Sequence, residues 1–291
     1  MEKIIFDLHQ DLIEIVIEGK NFEKDFFKFN VVSIFTPVIW EDKKFVETGD
    51  IYKALRTIET YRLFAEKNNV IIIEKKEDLK KVLNSDKKGF ILEIEGCSFI
   101  LDKYILKAFI NLGVRIFTLT WNFSNHIASS CTEKNDFGLT DLGREIVEEI
   151  ILNKGIIDLA HAGRKTLYDV YKLKVPFIIS HTGILHKPKN KRNISFEEMK
   201  RIKKRKGIIG IGLGNIFFER KMNKEEVLRE IKKLIKKYPE NIALGSDLFG
   251  LSENHIIKGL YSYKEIKETF SEFPENFLYL NAYRFFEENL P

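Results

Sequence analysis

Eight apolar runs recur along this chain of 291 residues, separated by longer segments of mixed polarity. The runs are rich in Ile, Val, Phe and Leu and are continuous rather than alternating, which is typical of strands buried on both faces of a parallel sheet. They lie near residues 3–9, 30–38, 88–95, 114–121, 154–161, 176–182, 207–213 and 241–247. The pattern therefore predicts eight parallel strands.

The segments between the runs carry apolar residues three and four positions apart, which is the spacing of amphipathic helices. They cover residues 50–68, 76–84, 98–113, 140–155, 163–174, 195–207, 223–239 and 262–290. Thr140 and Ser195 are suited to cap two of these helices, and Gly155 and Gly207 follow the last turns of two. A strand followed by a helix, eight times over, predicts an α/β fold, a (β/α)8 TIM barrel formed as a single domain by residues 1–291.

Composition narrows the classes of partner and compartment. The 48 Lys and Arg residues nearly balance the 43 Asp and Glu residues, and the net charge of +5 is weak evidence for a nucleic-acid partner, so none is predicted. The first apolar run is short and interrupted by Asp7, which predicts neither a signal peptide nor a membrane span, and hence a cytoplasmic protein. Cys97 and Cys131 lack the spacing of a metal knuckle and are predicted to be thiols rather than a disulfide.

Several of the predicted strands end in residues that bind metals or move protons. These residues are His9, Asp11, Glu95, His161, His181 and Asp247. The carboxyl ends of barrel strands share one face of the molecule, where barrel active sites lie, so we expect these side chains to meet there. A His-x-Asp pair alone also caps strands or forms salt bridges, but several strand ends agree here. Imidazole and carboxylate ligands together suit zinc or a similar divalent metal.

Two glutamates on the third run compete for the role of a bridging ligand. Glu95 lies at the end of the strand, and Glu93 lies two residues earlier on the same face, deeper in the barrel. Two metals about 3.5–4 Å apart polarise a carbonyl and hold a deprotonated water at neutral pH. We predict Glu95 as the bridging carboxylate and Glu93 as its rival or as a buried structural acid.

Seven short motifs follow one another in a fixed order. They are DLHQD (7–11), EIEG (93–96), GLTDLGREIV (138–147), IIDLAHAG (156–163), ISHTG (179–183), KRNIS (191–195) and LGSD (244–247). In order and spacing they resemble the motifs of the membrane dipeptidase (renal dipeptidase) family, peptidase family M19 of the amidohydrolase-like metal hydrolases. The resemblance runs from about residue 4 to the segment NAYRFFEENL. It implies a zinc-dependent dipeptidase that binds two Zn²⁺ per chain and takes a dipeptide as its substrate.

The resemblance also implies how the ligands are divided. His9, Asp11 and Glu95 would hold one zinc. Glu95, His161 and His181 would hold the second. A hydroxide that bridges the metals would attack the peptide carbonyl, which makes Glu95 part of the catalytic set.

Two further residues match functional positions of the family. Asp247 matches the aspartate that shuttles a proton from the attacking water to the leaving amine, and Arg192 matches the arginine that grips the free carboxylate of the substrate. From the residues alone, Asp247 is equally consistent with a turn and Arg192 with a solvated basic loop.

The chain departs from the family at three places. Trp121 stands where a substrate-contacting histidine is expected, and Asn122 or His126 could replace its donor. We predict that Trp121 and Asn122 bind substrate and that His126 is an ordinary loop histidine. Phe249 stands where a second aspartate is usual. The seventh strand ends in GIGLG (210–214) without a bulky aromatic residue, which predicts a more open or glycine-lined pocket.

Alternatives to a dipeptidase stay open at this point. One is a related binuclear metal hydrolase that acts on N-acyl amino acids, a lactone or another small amide, and another is a metal-binding barrel that has lost catalysis. A nuclease of similar fold is disfavoured because its first motif generally reads His-x-His. The Phe-rich segment 270–286 allows a homodimer, but helix packing on the barrel is the favoured interpretation.

Overall fold

Eight parallel strands close into a barrel in the computed structural model, which describes residues 3–13, 26–36, 39–41, 44–46 and 50–291. The described strands, which include short ones outside this ring, are β1 (Phe6–Gln10), β2 (Phe29–Phe35), β3 (Ile39–Glu41), β4 (Lys44–Val46), β5 (Val70–Ile72), β6 (Lys88–Glu95), β7 (Val114–Thr118), β8 (Ile156–Asp158), β9 (Phe177–Thr182), β10 (Ile184–Leu185), β11 (Ile194–Ser195), β12 (Ile208–Ile211) and β13 (Ile242–Leu244). The helices are α1 (Ile51–Lys67), α2 (Lys76–Leu83), α3 (Lys103–Asn111), α4 (Asp141–Leu152), α5 (Arg164–Lys172), α6 (Phe196–Lys204), α7 (Asn215–Phe218), α8 (Lys224–Lys237), α9 (Tyr263–Thr269), a π-helix (Asn276–Leu280) and α10 (Asn281–Asn289).

Hydrogen bonding runs around the barrel in the order β2, β1, β13, β12, β9, β8, β7 and β6. The pairing of β2 with β6, from Phe29 opposite Gly89 to Phe35 opposite Glu95, closes the ring. From β2 onward, helices lie between the successive ring strands, so the predicted (β/α)8 barrel is confirmed. The short pairs β3–β4 and β10–β11 form two separate sheets.

One strand of the main sheet is missing from the sequence-based prediction. β5 pairs with the first residues of β6, from Val70 opposite Lys88, whereas β7 pairs with the later residues of β6, from Leu92 opposite Val114. The two strands therefore share one edge of β6, and the sheet has nine strands although eight form the ring.

The barrel strands are shorter than the apolar runs that predict them. The run 154–161 ends as a strand at Asp158 and the run 241–247 ends at Leu244, and residues 37–38 of the second run lie outside the described residues. Beyond these ends, His161 and Asp247 adopt left-handed backbone, with φ of 61° and 58°. Such a conformation is rare for residues other than glycine and tends to occur at functional sites.

The predicted helix starts are confirmed where a capping residue marks them. The side chain of Ser195 accepts from the backbone of Glu198 in a capping box, and Thr140 caps α4 through Gly143. The predicted helix 98–113 instead begins at Lys103, because Asp102 caps it there. The predicted helix 262–290 is interrupted after Thr269, near Pro274, since proline cannot donate within a helix.

The last helix covers the amino-terminal end of the barrel. The ring of Phe6 stacks on Phe29 at 4.9 Å and on Phe286 at 5.1 Å between centroids. The side chain of Asn281 donates to the backbone oxygens of Pro239 and Ile242, which fixes α10 against β13. Packing of the Phe-rich segment on the barrel is therefore confirmed, and a homodimer stays a prediction.

Two sequence-based expectations concern membranes and cysteines. Within the described part of the chain, no helix has both the length and the apolar character that a membrane span requires. The cytoplasmic location stays a prediction.

Cys97 and Cys131 are buried and form no disulfide, as predicted.

Candidate metal centre

The ligand-type side chains from separate strand ends converge at the carboxyl-terminal face of the barrel. Three groups, each with its ligand atoms within 4.8 Å of one another, share members. They are His9 with Asp11 and Glu95, Glu95 with His161 and His181, and His9 with His181 and Asp247. All five residues predicted as ligands thus meet, together with the predicted proton-transferring aspartate.

Glu95 lies between two of these groups and presents a different carboxylate oxygen to each. Its Oε2 atom lies 3.6 Å from Nε2 of His9, while its Oε1 atom lies 3.2 Å from Nε2 of His161 and 3.7 Å from Nε2 of His181. The hydroxyl of Ser33 donates to Oε2 at 3.0 Å and fixes the carboxylate plane. This is the arrangement that a bridging carboxylate requires.

The register of β1 against β2 shifts at His9. Asp7 pairs with Asn30 but Gln10 pairs with Val32, so three steps along β1 match two along β2. Such a shift re-aims the side chains near it. Nδ1 of His9 lies 2.8 Å from Oε2 of Glu93, and its buried Nε2 atom lies 3.4 Å from Oδ2 of Asp11. Glu93 therefore supports His9, while Glu95 faces the cluster.

His161 and His181 direct their Nε2 atoms toward each other. Nδ1 of His161 donates to Oδ1 of Asn122 at 2.8 Å, and Nδ1 of His181 lies 2.9 Å from the Ser180 hydroxyl. With hydrogen on each Nδ1, both Nε2 atoms present lone pairs, and these two atoms are 3.1 Å apart. Two converging lone pairs beside a carboxylate oxygen fit a divalent cation, as does Nε2 of His9, which faces the carboxylates of Asp11 and Glu95.

Burial sets the protonation equilibria of the cluster. It raises the pKa of Glu95 to about 8, with Asp11 and Asp247 adding to the rise and His9 opposing it. Burial also raises the pKa of Asp247 to about 7, with His9 opposing the rise. The imidazole of His161 shifts the other way, because burial and the nearby Arg192 lower its pKa.

Asp247 is held over the cluster by contacts from β1. The backbone N–H of Asp247 donates to the carbonyl of His9 at 3.2 Å. Asp7 accepts from both the backbone and the hydroxyl of Ser246, and that hydroxyl accepts from the backbone of Leu248. These bonds fix the left-handed turn at Asp247 so that its carboxylate lies beside His9 and His181.

Arg192 is buried rather than solvated, with 8% of its surface exposed. Its guanidinium lies 5.8 Å from the centre of the Phe217 ring, and its Nη2 atom has no hydrogen-bond partner in the described part of the chain. The same ring packs directly over Gly212, where any side chain would collide with it. At Gly212 the space that a side chain would take is filled by an aromatic ring from α7, and a more open or glycine-lined pocket stays a prediction.

The residues that depart from the family pattern lie on loops around the cluster. The ring of Trp121 packs 4.9 Å from Phe35 and 6.1 Å from His161, so it forms an aromatic wall beside the site. Asn122 contacts His161 through its side chain. Nε2 of His126 hydrogen-bonds to the carbonyl of Ile100 at 3.0 Å, which agrees with an ordinary loop histidine. Substrate contacts of Trp121 and Asn122 stay predictions.

Phe249 occupies the position where a second aspartate was expected. Its ring packs against Tyr261 at 5.8 Å and Tyr263 at 5.9 Å between centroids, and its own φ is 71°. The departure therefore replaces a charged group with an aromatic cluster beside Asp247.

Four functional-site neighbours were not singled out from the sequence as partners of the ligands. Thr118, Asp158 and Ser180 are fully buried polar residues inside apolar runs, and Ser246 is almost fully buried. A polar residue in a buried strand destabilises the fold unless it is hydrogen-bonded. A polar residue that interrupts an apolar run is therefore the sequence signal for such a buried partner.

Comparisons with known proteins agree with this geometry. An uncharacterized dipeptidase of Schizosaccharomyces pombe is 26% identical over 181 residues, covering 58% of this chain and 44% of that protein. Dipeptidase 3 of Mus musculus is 31% identical over 138 residues, covering 45% of this chain and 28% of that protein. The aligned regions thus span less than half the length of these two curated relatives.

A solved structure shows the same fold over the whole chain. It is a metallo peptidase from Rhodobacter sphaeroides, solved with a phosphinate mimic of the dipeptide L-Ala-D-Ala, with a TM-score of 0.84, 18% identity and complete coverage of both chains. The sequence model of the membrane dipeptidase family, peptidase family M19, matches residues 6–279. The chain therefore belongs to the membrane dipeptidase family.

Proposed function

We propose that the protein is a metallo-dipeptidase that holds two zinc-type divalent cations and hydrolyses the peptide bond of dipeptides. The observation that carries the proposal is the position of Glu95, whose two carboxylate oxygens face different histidines at 3.2–3.7 Å. A carboxylate so placed belongs to two ligand groups at once.

The residues divide into two overlapping cation positions. His9, Asp11 and Glu95 would hold one cation, and Glu95, His161 and His181 the other. Mixed nitrogen and oxygen donors suit zinc or a similar borderline metal. When bound, the cations supply a Lewis acid for the peptide carbonyl and lower the pKa of water.

Asp247 is the group that moves the proton. Its carboxylate shares a group with His9 and His181, and burial raises its pKa to about 7. A carboxyl with a pKa near neutrality is suited both to accept a proton from the attacking water and to donate it to the leaving amine.

Arg192 and the aromatic wall would bind the rest of the substrate. The Nη2 atom of Arg192 is buried with no hydrogen-bond partner among the described residues, and a planar guanidinium matches a carboxylate. A substrate with a free carboxylate would satisfy that atom. Trp121 and Phe35 form an apolar surface next to His161, suited to a substrate side chain.

A second candidate function keeps the same cluster and changes the substrate. The aromatic ring of Trp121, in place of a histidine, favours an N-acyl amino acid, a lactone or another small amide. Such an acyl chain would pack on the aromatic wall while its carboxylate paired with Arg192. A barrel without catalysis is less well supported, because the ligand groups and Asp247 are all assembled.

The decisive experiment pairs metal analysis with a substrate panel. We expect two divalent cations per chain and turnover of L,L- or L,D-dipeptides, with loss of turnover after chelation and recovery after metal is returned. Faster turnover of N-acyl amino acids than of any dipeptide would favour the second candidate. Full dipeptidase activity in metal-free protein would contradict both.

A further inference from the structure

A continuous chain of buried hydrogen bonds runs beneath the cluster and joins two of its histidines. Oε2 of Glu93 lies 2.8 Å from Nδ1 of His9, and the Thr118 hydroxyl contacts Oε1 of the same carboxylate at 2.8 Å. That hydroxyl also lies 2.9 Å from Oδ2 of Asp158. Because a hydroxyl carries a single hydrogen, it donates to one of the two carboxyl groups, and the other must hold a proton and donate to the hydroxyl for the chain to be continuous. The Ser180 hydroxyl donates to the same Oδ2 at 2.6 Å and lies 2.9 Å from Nδ1 of His181.

The chain takes one side chain from each of four neighbouring barrel strands. Glu93 lies on β6, Thr118 on β7, Asp158 on β8 and Ser180 on β9, and these strands pair in that order. All four residues have no exposed surface. Both ends of the chain contact Nδ1 of an imidazole, the ring atom opposite the Nε2 atom that faces the cluster.

Stability alone is a poor explanation for such a chain. Burying two carboxylates is unfavourable unless each is well bonded, and apolar residues of similar size would stabilise a barrel interior at least as well. Asp158 has further hydrogen bonds, since its Oδ1 atom accepts from the backbone N–H groups of Ala160 and Ser180. The Glu93 side of the chain meets the Asp158 side at Thr118, whose hydroxyl contacts both carboxyl groups, and the two carboxyl groups also contact each other.

We propose that Glu93, Thr118, Asp158 and Ser180 act as one positioning relay, which holds the Nε2 atoms of His9 and His181 toward the cluster and links the two cation positions. The relay rests on the proposed binuclear site. Partners of this kind fix the tautomer and orientation of a metal-binding imidazole. The Thr118 hydroxyl, at the middle of the relay, would therefore support two predicted ligands that it does not touch.

The test titrates metal-free protein with Co²⁺ alone and follows its visible absorption. Thr118→Val keeps the shape of the side chain but removes the hydroxyl, and we expect the dissociation constants of both positions to rise about tenfold, the lower range for outer partners of metal ligands. Thr118→Ser restores the hydroxyl and should restore wild-type affinity. Thr120→Val is the matched control, because the Thr120 hydroxyl is buried with no hydrogen-bond partner among the described residues.

Three outcomes decide between the proposals. A wild type that takes up fewer than two Co²⁺ contradicts the binuclear function. A wild type that takes up two, with a Thr118→Val variant that binds both equally tightly, overturns the relay. Weakening of only one position overturns it as well, because the relay links both.

A second measurement decides the matter without metal, or if Thr118→Val does not fold. Ser180→Ala breaks the chain at its His181 end. In metal-free protein labelled with ¹⁵N-histidine, the Nδ1–H resonance of His9, at the opposite end, should shift. An unchanged His9 resonance in a folded Ser180→Ala protein overturns the relay.

Discussion

The side-chain oxygen of Asn122 lies 2.8 Å from Nδ1 of His161, on the side of the ring that faces away from the cluster. The bond places hydrogen on Nδ1 and leaves the lone pair of Nε2 for a cation. His161 also adopts a left-handed backbone, so its position depends on contacts of this kind.

Asn122→Ala should weaken metal binding at the position that contains His161. Loss of an outer hydrogen-bond partner lowers metal affinity by about 10- to 100-fold. Asn122→Asp keeps an acceptor and should retain most of the affinity. Isothermal titration with Zn²⁺ measures both variants, and equal affinity in Asn122→Ala and the wild type would show that the bond does not position His161.

Gly250→Ala should disrupt the site without unfolding the barrel. A methyl group at this position would collide with the carboxylates of Asp11 and Asp247. We expect a marked loss of metal affinity and turnover, because both carboxylates must move. Gly259→Ala is the control, since its methyl group would meet only the Lys224 side chain, although its φ of 85° makes it strained as well. Loss of activity confined to Gly259→Ala would contradict the steric argument.

Arg192→Ala should raise the KM for dipeptides with a free carboxylate and leave peptide amides almost unaffected. A hydrogen bond to a charged group contributes about 1.5–3 kcal/mol, which corresponds to roughly 10- to 150-fold in KM. Lys191→Ala removes the neighbouring cation, which is exposed, and should change neither class of substrate. Equal effects of Arg192→Ala on acids and amides would argue against a carboxylate contact.

Metal-free protein should lose stability as the pH rises from 6.5 to 8. Burial raises the pKa of Glu95 to about 8 and that of Asp247 to about 7, so folded protein holds protons that unfolded chains have already released. Each additional proton held by the folded state lowers the free energy of unfolding by up to about 1.4 kcal/mol per pH unit. His161 and His181 have lowered pKa values, which oppose this loss near pH 6.5 and fade toward pH 8, because the imidazoles of the unfolded chain have by then released their protons.

Thermal unfolding in the presence of a chelator measures this effect. The melting temperature should fall across the interval, and added Zn²⁺ should raise it most at pH 8, because the cation binds the deprotonated ligands. A melting temperature of metal-free protein that rises from pH 6.5 to 8 would contradict the raised carboxylate pKa values.

The sequence predicts the barrel and the convergence of the candidate ligands well, because both depend on simple regularities. Glu95 ends its strand as predicted, and ligands at strand ends meet regardless of small errors in strand length. His161 shows this tolerance, since it lies three residues beyond the end of β8 and still reaches Glu95.

The roles of Glu93 and Phe217 depend on tertiary contacts that periodicity does not encode. Glu93 bonds to Nδ1 of His9 where the register of β1 shifts, and nothing in the run EIE separates its two glutamates. Phe217 fills the space over Gly212 from a four-residue helix, which is too short to produce a helical pattern. The relay was missed for the same reason, because its members lie far apart in sequence.

The order in which the chain is synthesised has a consequence for this site. His9 lies on β1, whose second neighbour in the ring is β13, and the Phe6 ring at the amino-terminal end of the barrel is covered by Phe286. A nascent chain synthesised only as far as residue 181 contains all five predicted ligands. It still lacks β13, which pairs with β1, and α10, which covers the amino-terminal end of the barrel. Metal loading should therefore follow release of residues 242–289 from the ribosome rather than accompany synthesis of the ligands.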